Sequence, residues 1–145
     1  MSRPFWLGLA GGLLVASAFS QVTFSSSAQA SAEEKAEASM LYELRTYYTP
    51  EGKLDALHAR FRDHTMKLFE KHGIKNIMYW TPADKPNTLI YVIAHQDMDA
   101  AKASWQAFRE DPEWKRVAEE SQRDGRLVQK VESVYMNLTD YSPKP

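Results

Sequence analysis

From Leu41 to Tyr48 the chain reads LYELRTYY, an alternation that puts Tyr42, Leu44 and Thr46 on one face of a strand and Glu43, Arg45 and Tyr47 on the other. Pro50 and Gly52 make a turn. The stretch that follows carries Leu54, Leu57, Phe61 and Leu68 at the spacing of an amphipathic helix, which Gly73 closes. Ile74–Thr81 predicts a second strand, ADKPN a turn, and Thr88–His95 a third strand, the two strands forming a hairpin. A helical pattern resumes from Asp99 to Asp124, with Ala101, Trp105 and Phe108 on one side, and Pro112 falls in its middle. A proline inside a helix costs roughly 3 kcal/mol. Placed after Asp111 and before Glu113 it instead predicts a helix start: Asp111 as N-cap, Pro112 as first residue, an acid at the positive end of the dipole. The new helix groups Trp114, Val117, Ala118 and Ser121 on one face and ends by Gly125; Val128–Leu138 predicts the last strand, ahead of a short tail.

The order β-α-β-β-α-β predicts an α+β, ferredoxin-like fold, a four-stranded antiparallel sheet with helices on one face. The other face needs a cover, and a second copy of the chain supplies one by symmetry, as a homodimeric α+β barrel. Tyr91, Ile93 and Tyr135 are expected on that covered face, being too apolar or aromatic for a wide solvent face.

Ahead of the domain, Arg3 precedes an apolar run from Phe5 to Phe19, and Ala28-Gln29-Ala30 offers an A-x-A cleavage site. About 15 apolar residues fall short of the roughly 20 that cross a bilayer. The expectation is a secretory signal over 1–30, a flexible leader over 31–39, and a folded domain over 40–145, exported to a periplasm or secreted with no stable membrane anchor after cleavage.

Composition narrows the chemistry. The 145 residues are 43% hydrophobic and 26% charged with a net charge of −1, one ordinary domain without the basic footprint of a nucleic-acid binder. Cysteine is absent, which removes disulfides, thiolate nucleophiles, zinc ribbons and iron–sulfur clusters. No HExxH, Walker A, GxSxG or paired-histidine spacing occurs, so neither a metal site nor an obligatory cofactor is expected.

MLYELRTYYTPEGKL at the start of the domain, KHGI-x-x-x-x-YW in the middle, AFREDPEW, and SQRDGRLVQKVESVYMNLTDYSP at the end resemble the NIPSNAP family of the dimeric α+β barrel superfamily. The resemblance covers Met40 to Pro143 and implies the fold and a homodimer; it carries over no catalytic residue. Met78 departs from the glycine common before Tyr-Trp, and its side chain would narrow a cavity beside that strand. Relatives in the superfamily include cofactor-free monooxygenases, haem-handling proteins and isomerases.

The candidate ligand-binding residues are Arg45, Tyr47, His64, Tyr79, Tyr91 and His95. Arg45 and Tyr47 could hold a carboxylate or carbonyl oxygen, or Arg45 could form a structural ion pair with Glu43 or Glu132. Tyr79, Trp80, Tyr91 and His95 on the hairpin suit either stacking on a flat ligand or ordinary packing. His64 shares the stripe of Leu57, Phe61 and Leu68 and so points inward, as a ligand or as a core histidine with one hydrogen bond. His58 and His72 belong to the helix surface and the helix end. No compact acid/base constellation is visible. The first functional reading is therefore a binding or protein-interaction module taking a small apolar, oxygenated ligand or a partner protein. The second is a small cofactor-independent monooxygenase-like or isomerase-like enzyme using Arg45, Tyr47 and His95, and the third a haem-binding protein using His64 and His95.

Overall fold

A computed structural model describes residues 40–143; the expected signal and leader lie outside them. The elements run β1 (Leu41–Tyr48), α1 (Leu54–Arg60), a π-helical turn (Phe61–Thr65), α2 (Met66–Lys71), β2 (Lys75–Trp80), β3 (Thr88–His95), α3 (Met98–Glu110), α4 (Pro112–Ser121) and β4 (Lys130–Asn137). The four strands form one antiparallel sheet in the order β2-β3-β1-β4, so the two strands distant in sequence, β1 and β3, sit at its centre.

Register sorts the side chains. Glu43 pairs with Ile93 and Tyr135, Arg45 with Tyr91 and Ser133, and Tyr47 with Leu89 and Val131, so these residues share the face that the helices cover. Leu57, Phe61, Leu68, Phe69, Trp105 and Phe108 close over that face to make the core. Tyr91 and Ile93 are therefore interior, each fully buried, and Tyr135 shares their side at an edge strand; none lies on the open face, contrary to expectation. In TLIYVIAH both alternating sets are apolar, so alternation could not say which faces the helices. The open face instead presents Leu44, Val92, Met78, Trp80 and Val134, the last three 46%, 45% and 54% exposed.

The first helix is interrupted. At the π-helical turn one extra residue enters the ladder, and Thr65 Oγ1 donates back to the Arg60 carbonyl at 3.2 Å. The insertion shifts the phase of the stripe: Thr65, 2% exposed, takes the inward position, and His64 turns away from the core, half-buried. The proline behaves as its neighbours predict. Asp111 accepts from the backbone N–H groups of Glu113 at 2.7 Å and Trp114 at 3.4 Å, and α4 starts at Pro112. The same carboxylate accepts from His72 Nε2 at 2.6 Å and Lys71 Nζ at 2.8 Å, tying the end of α2 to the start of α4.

Candidate functional site

The buried chemistry of the domain centres on Glu43, which is 1% exposed in the middle of the sheet. Its Oε1 accepts from Arg45 Nη1 at 2.6 Å and from Ser133 Oγ at 2.6 Å; its Oε2 accepts from Trp105 Nε1 at 2.7 Å and from His95 Nε2 at 3.0 Å. A carboxylate has about four lone-pair sites, so all of them are taken. Burial by itself would raise its pKa, but the hydrogen bonds from His95, Ser133 and Trp105 and the Arg45 charge outweigh it and hold the carboxyl down from 4.5 to about 2. Glu43 is therefore an ionised, saturated anchor. It positions other groups and has no lone pair left to act as a base.

Of the two ion pairs open to Arg45, the one formed is with Glu43; Glu132 bonds Lys130 and Tyr48 on the other face. The guanidinium lies over the Trp105 ring at 4.4 Å and reaches Tyr47 Oη at 3.4 Å. Tyr47 packs edge-on to Tyr91, and Tyr91 stacks on Tyr79 with ring centres 5.2 Å apart. The Tyr91 hydroxyl lies beside that of Tyr47 without meeting hydrogen-bond geometry, and burial pushes its pKa well up, so it remains a neutral donor. Tyr79 donates to Asn76. Arg45, Tyr47, Tyr79, Tyr91 and His95 thus share one interior layer; Trp80 turns to the open face, and His64 lies outside the layer.

His95 is fully buried and linked to the layer through Glu43. Because an ionised carboxylate only accepts, Nε2 carries the proton and Nδ1 is left without a partner. Arg45 Nε, Tyr91 Oη and Arg60 Nε are likewise buried and unpartnered. The sequence reading missed Arg60. It ends α1, is 7% exposed, and its charge acts on both Tyr47 and Tyr91, as that of Arg45 does. Its signal was an arginine three residues after Leu57 on the edge of the apolar stripe. His64 and Arg60 line a groove of about 330 Å³ between α1 and α4, with Ala56, Ala59, Val117 and Ser121. A second groove, about 410 Å³, lies on the open face between Tyr42, Met78, Trp80 and Val92 and the tail residues Leu138 and Pro143. Met78 lines that groove and does not narrow the interior layer.

The NIPSNAP family model matches residues 42–143, from the second residue of β1 through every later element of this fold. The chain belongs to the NIPSNAP family. Among solved structures, a NIPSNAP family protein of unknown function from Agrobacterium tumefaciens superposes with a TM-score of 0.64 at 23% identity, covering 73% of this chain and 94% of that one. An uncharacterized NIPSNAP-like domain protein from Burkholderia xenovorans gives 0.64 at 15% identity, covering 73% and 90%. A proposed antibiotic biosynthesis monooxygenase from Nitrosomonas europaea gives 0.53 at 13% identity, covering 72% and 95%. At these identities the likeness is one of fold, and it joins this NIPSNAP domain to the ferredoxin-like dimeric α+β barrel folds. No curated protein matches the chain.

Proposed function

We propose that this NIPSNAP domain is an exported, homodimeric module that binds a small apolar, oxygenated molecule between its sheet and its helices without turning it over. One observation carries the reading: the interior layer holds donors without partners, Arg45 Nε and the Tyr91 hydroxyl, in a wall of Tyr47, Phe61, Tyr79 and Trp105 rings. Buried polar atoms are normally paired, so a set left open among aromatic rings suits an oxygenated guest. The apolar open face supports pairing of two copies through the sheets, since Met78, Trp80 and Val134 are each about half exposed. Light scattering at micromolar concentration should return twice the monomer mass; a stable monomer removes the barrel.

Native mass spectrometry of protein purified from its own host should find a small organic molecule bound. Arg45→Ala should lower its occupancy while leaving the dimer intact. Empty wild-type protein, or occupancy unchanged in the variant, overturns the reading.

The His95–Glu43 pair favours a second reading, the cofactor-independent monooxygenase-like or isomerase-like enzyme. Glu43 orients the imidazole and leaves Nδ1 as a lone pair able to take a proton. The two readings separate on the fate of the guest. A molecule recovered unchanged after incubation in air supports binding, and one converted by the wild type but not by His95→Asn supports the enzyme.

A further inference from the structure

Two arginines lie against the interior layer, and only one is neutralised. Arg45 meets Glu43 at 2.6 Å. Arg60 has a long bond to Ser121 Oγ at 3.5 Å, a stacking contact on Trp114 at 5.2 Å, an unpartnered Nε, and, among the described residues, no ion pair. A guanidinium stays charged inside a protein, and a buried charge without a counter-charge is costly. Arg60 also lines the groove between α1 and α4, beside the small side chains of Ala56 and Ala59 and the apolar wall of Val117. On the inner side Tyr47 and Tyr91 are close enough to act on its charge. The groove's 330 Å³ lies at the low end of the roughly 300–1,000 Å³ of small-molecule sites.

We propose that Arg60 is the anion-recognising end of the ligand site and that the guest is a small monocarboxylate with an apolar body, its carboxylate seated on the guanidinium and entering between α1 and α4. The inference rests on the binding reading above and names its ligand class. The lining selects the charge. Asp63 and Glu120 also line the groove, with Glu120 held by Arg116 at 2.7 Å, and two acids at the rim oppose a dianion such as phosphate more than a single carboxylate. An arginine fork matches a carboxylate with two parallel hydrogen bonds, and a partly desolvated site strengthens them. His64, turned to this groove by the π-helical turn, adds a ring nitrogen beside the same wall.

The test is thermal melting of the full-length protein with millimolar benzoate or hexanoate, their neutral amides, and sulfate. Benzoate or hexanoate should raise the wild-type midpoint by several degrees and the amides and sulfate should not. Arg60→Met should abolish the rise, and Arg60→Lys, which keeps the charge and loses the fork, should at least halve it; circular dichroism checks that each variant is folded. If Arg60→Met does not fold, an undiminished rise in Arg60→Lys counts against the proposal. A rise that survives Arg60→Met but disappears in Arg45→Ala overturns the role of Arg60 and leaves the binding reading standing. Stabilisation by the amides and not the acids removes the anionic class alone, and an equal rise with sulfate reduces the effect to nonspecific anion binding. No rise with either acid overturns the inference, while native mass spectrometry decides the binding reading separately.

Discussion

Arg45 and Arg60 are the same residue type, both flanking Tyr47 and Tyr91, yet their surroundings differ in kind. Around Arg45 the charge is matched, with Glu43 accepting from four donors on three strands and a helix, and only the Arg45 Nε is left over. Around Arg60 it stays open, with a hydroxyl at 3.5 Å and an indole as its partners. Burial therefore does not mark function by itself. A buried charge that has found its counter-charge is held by the fold and offers a guest only its spare donor, whereas one that has not offers its whole fork.

The largest expected effect tests the closed half. Glu43→Ala leaves Arg45 unpaired in the interior and strips acceptors from His95, Trp105 and Ser133, and chemical denaturation should show a loss on the order of 3–5 kcal/mol. A loss under about 1 kcal/mol would mean that water replaces the carboxylate and that the network is not closed. The pH dependence sharpens the same point. Glu43 has its folded pKa lowered from 4.5 to about 2, so its stabilisation is complete above pH 4.5 and is lost as pH falls toward 2. Glu43→Gln should flatten that acid limb in thermal melts between those values.

Asp111 contributes to the acid limb from a different place. Lys71 and then His72 hold its carboxyl well below the usual range, and it caps α4 as well. Asp111→Ala should lower the melting midpoint by roughly 5 °C. An unchanged midpoint would make Pro112 alone responsible for starting the helix. The smallest effect belongs to the open half. Arg60→Met keeps the stem packing and removes a buried unpaired charge, so its stability should stay within about 1 kcal/mol of wild type, or rise. A loss matching that of Glu43→Ala would break the comparison and make Arg60 a structural residue.

Much of the domain was legible in the order of its residues. Period-two alternation in LYELRTYY put Glu43, Arg45 and Tyr47 on one face, the β-branched run Thr88–His95 marked β3 at its observed ends, and Asp111-Pro112-Glu113 marked the start of α4. These are local decisions, made by side-chain direction, hydrogen-bond caps and fixed φ, and a short window of sequence contains all that they need. Three others were made only by the folded chain. Which side of β3 meets the helices depends on register against β1, because both sides of TLIYVIAH are apolar. Whether Thr65 or His64 faces the core depends on one extra residue in the helical ladder, which periodicity cannot count. And although Arg45 finds its counter-charge in Glu43 two residues away, what completes that network and what Arg60 meets lie far along the chain: Glu43 collects Trp105 and Ser133 from 62 and 90 residues away, while Arg60 meets Ser121, a hydroxyl with no charge to offer, 61 residues away. Charge compensation is a property of three-dimensional neighbours, so only the tertiary structure could separate an arginine whose counter-charge is in place from one that lacks it.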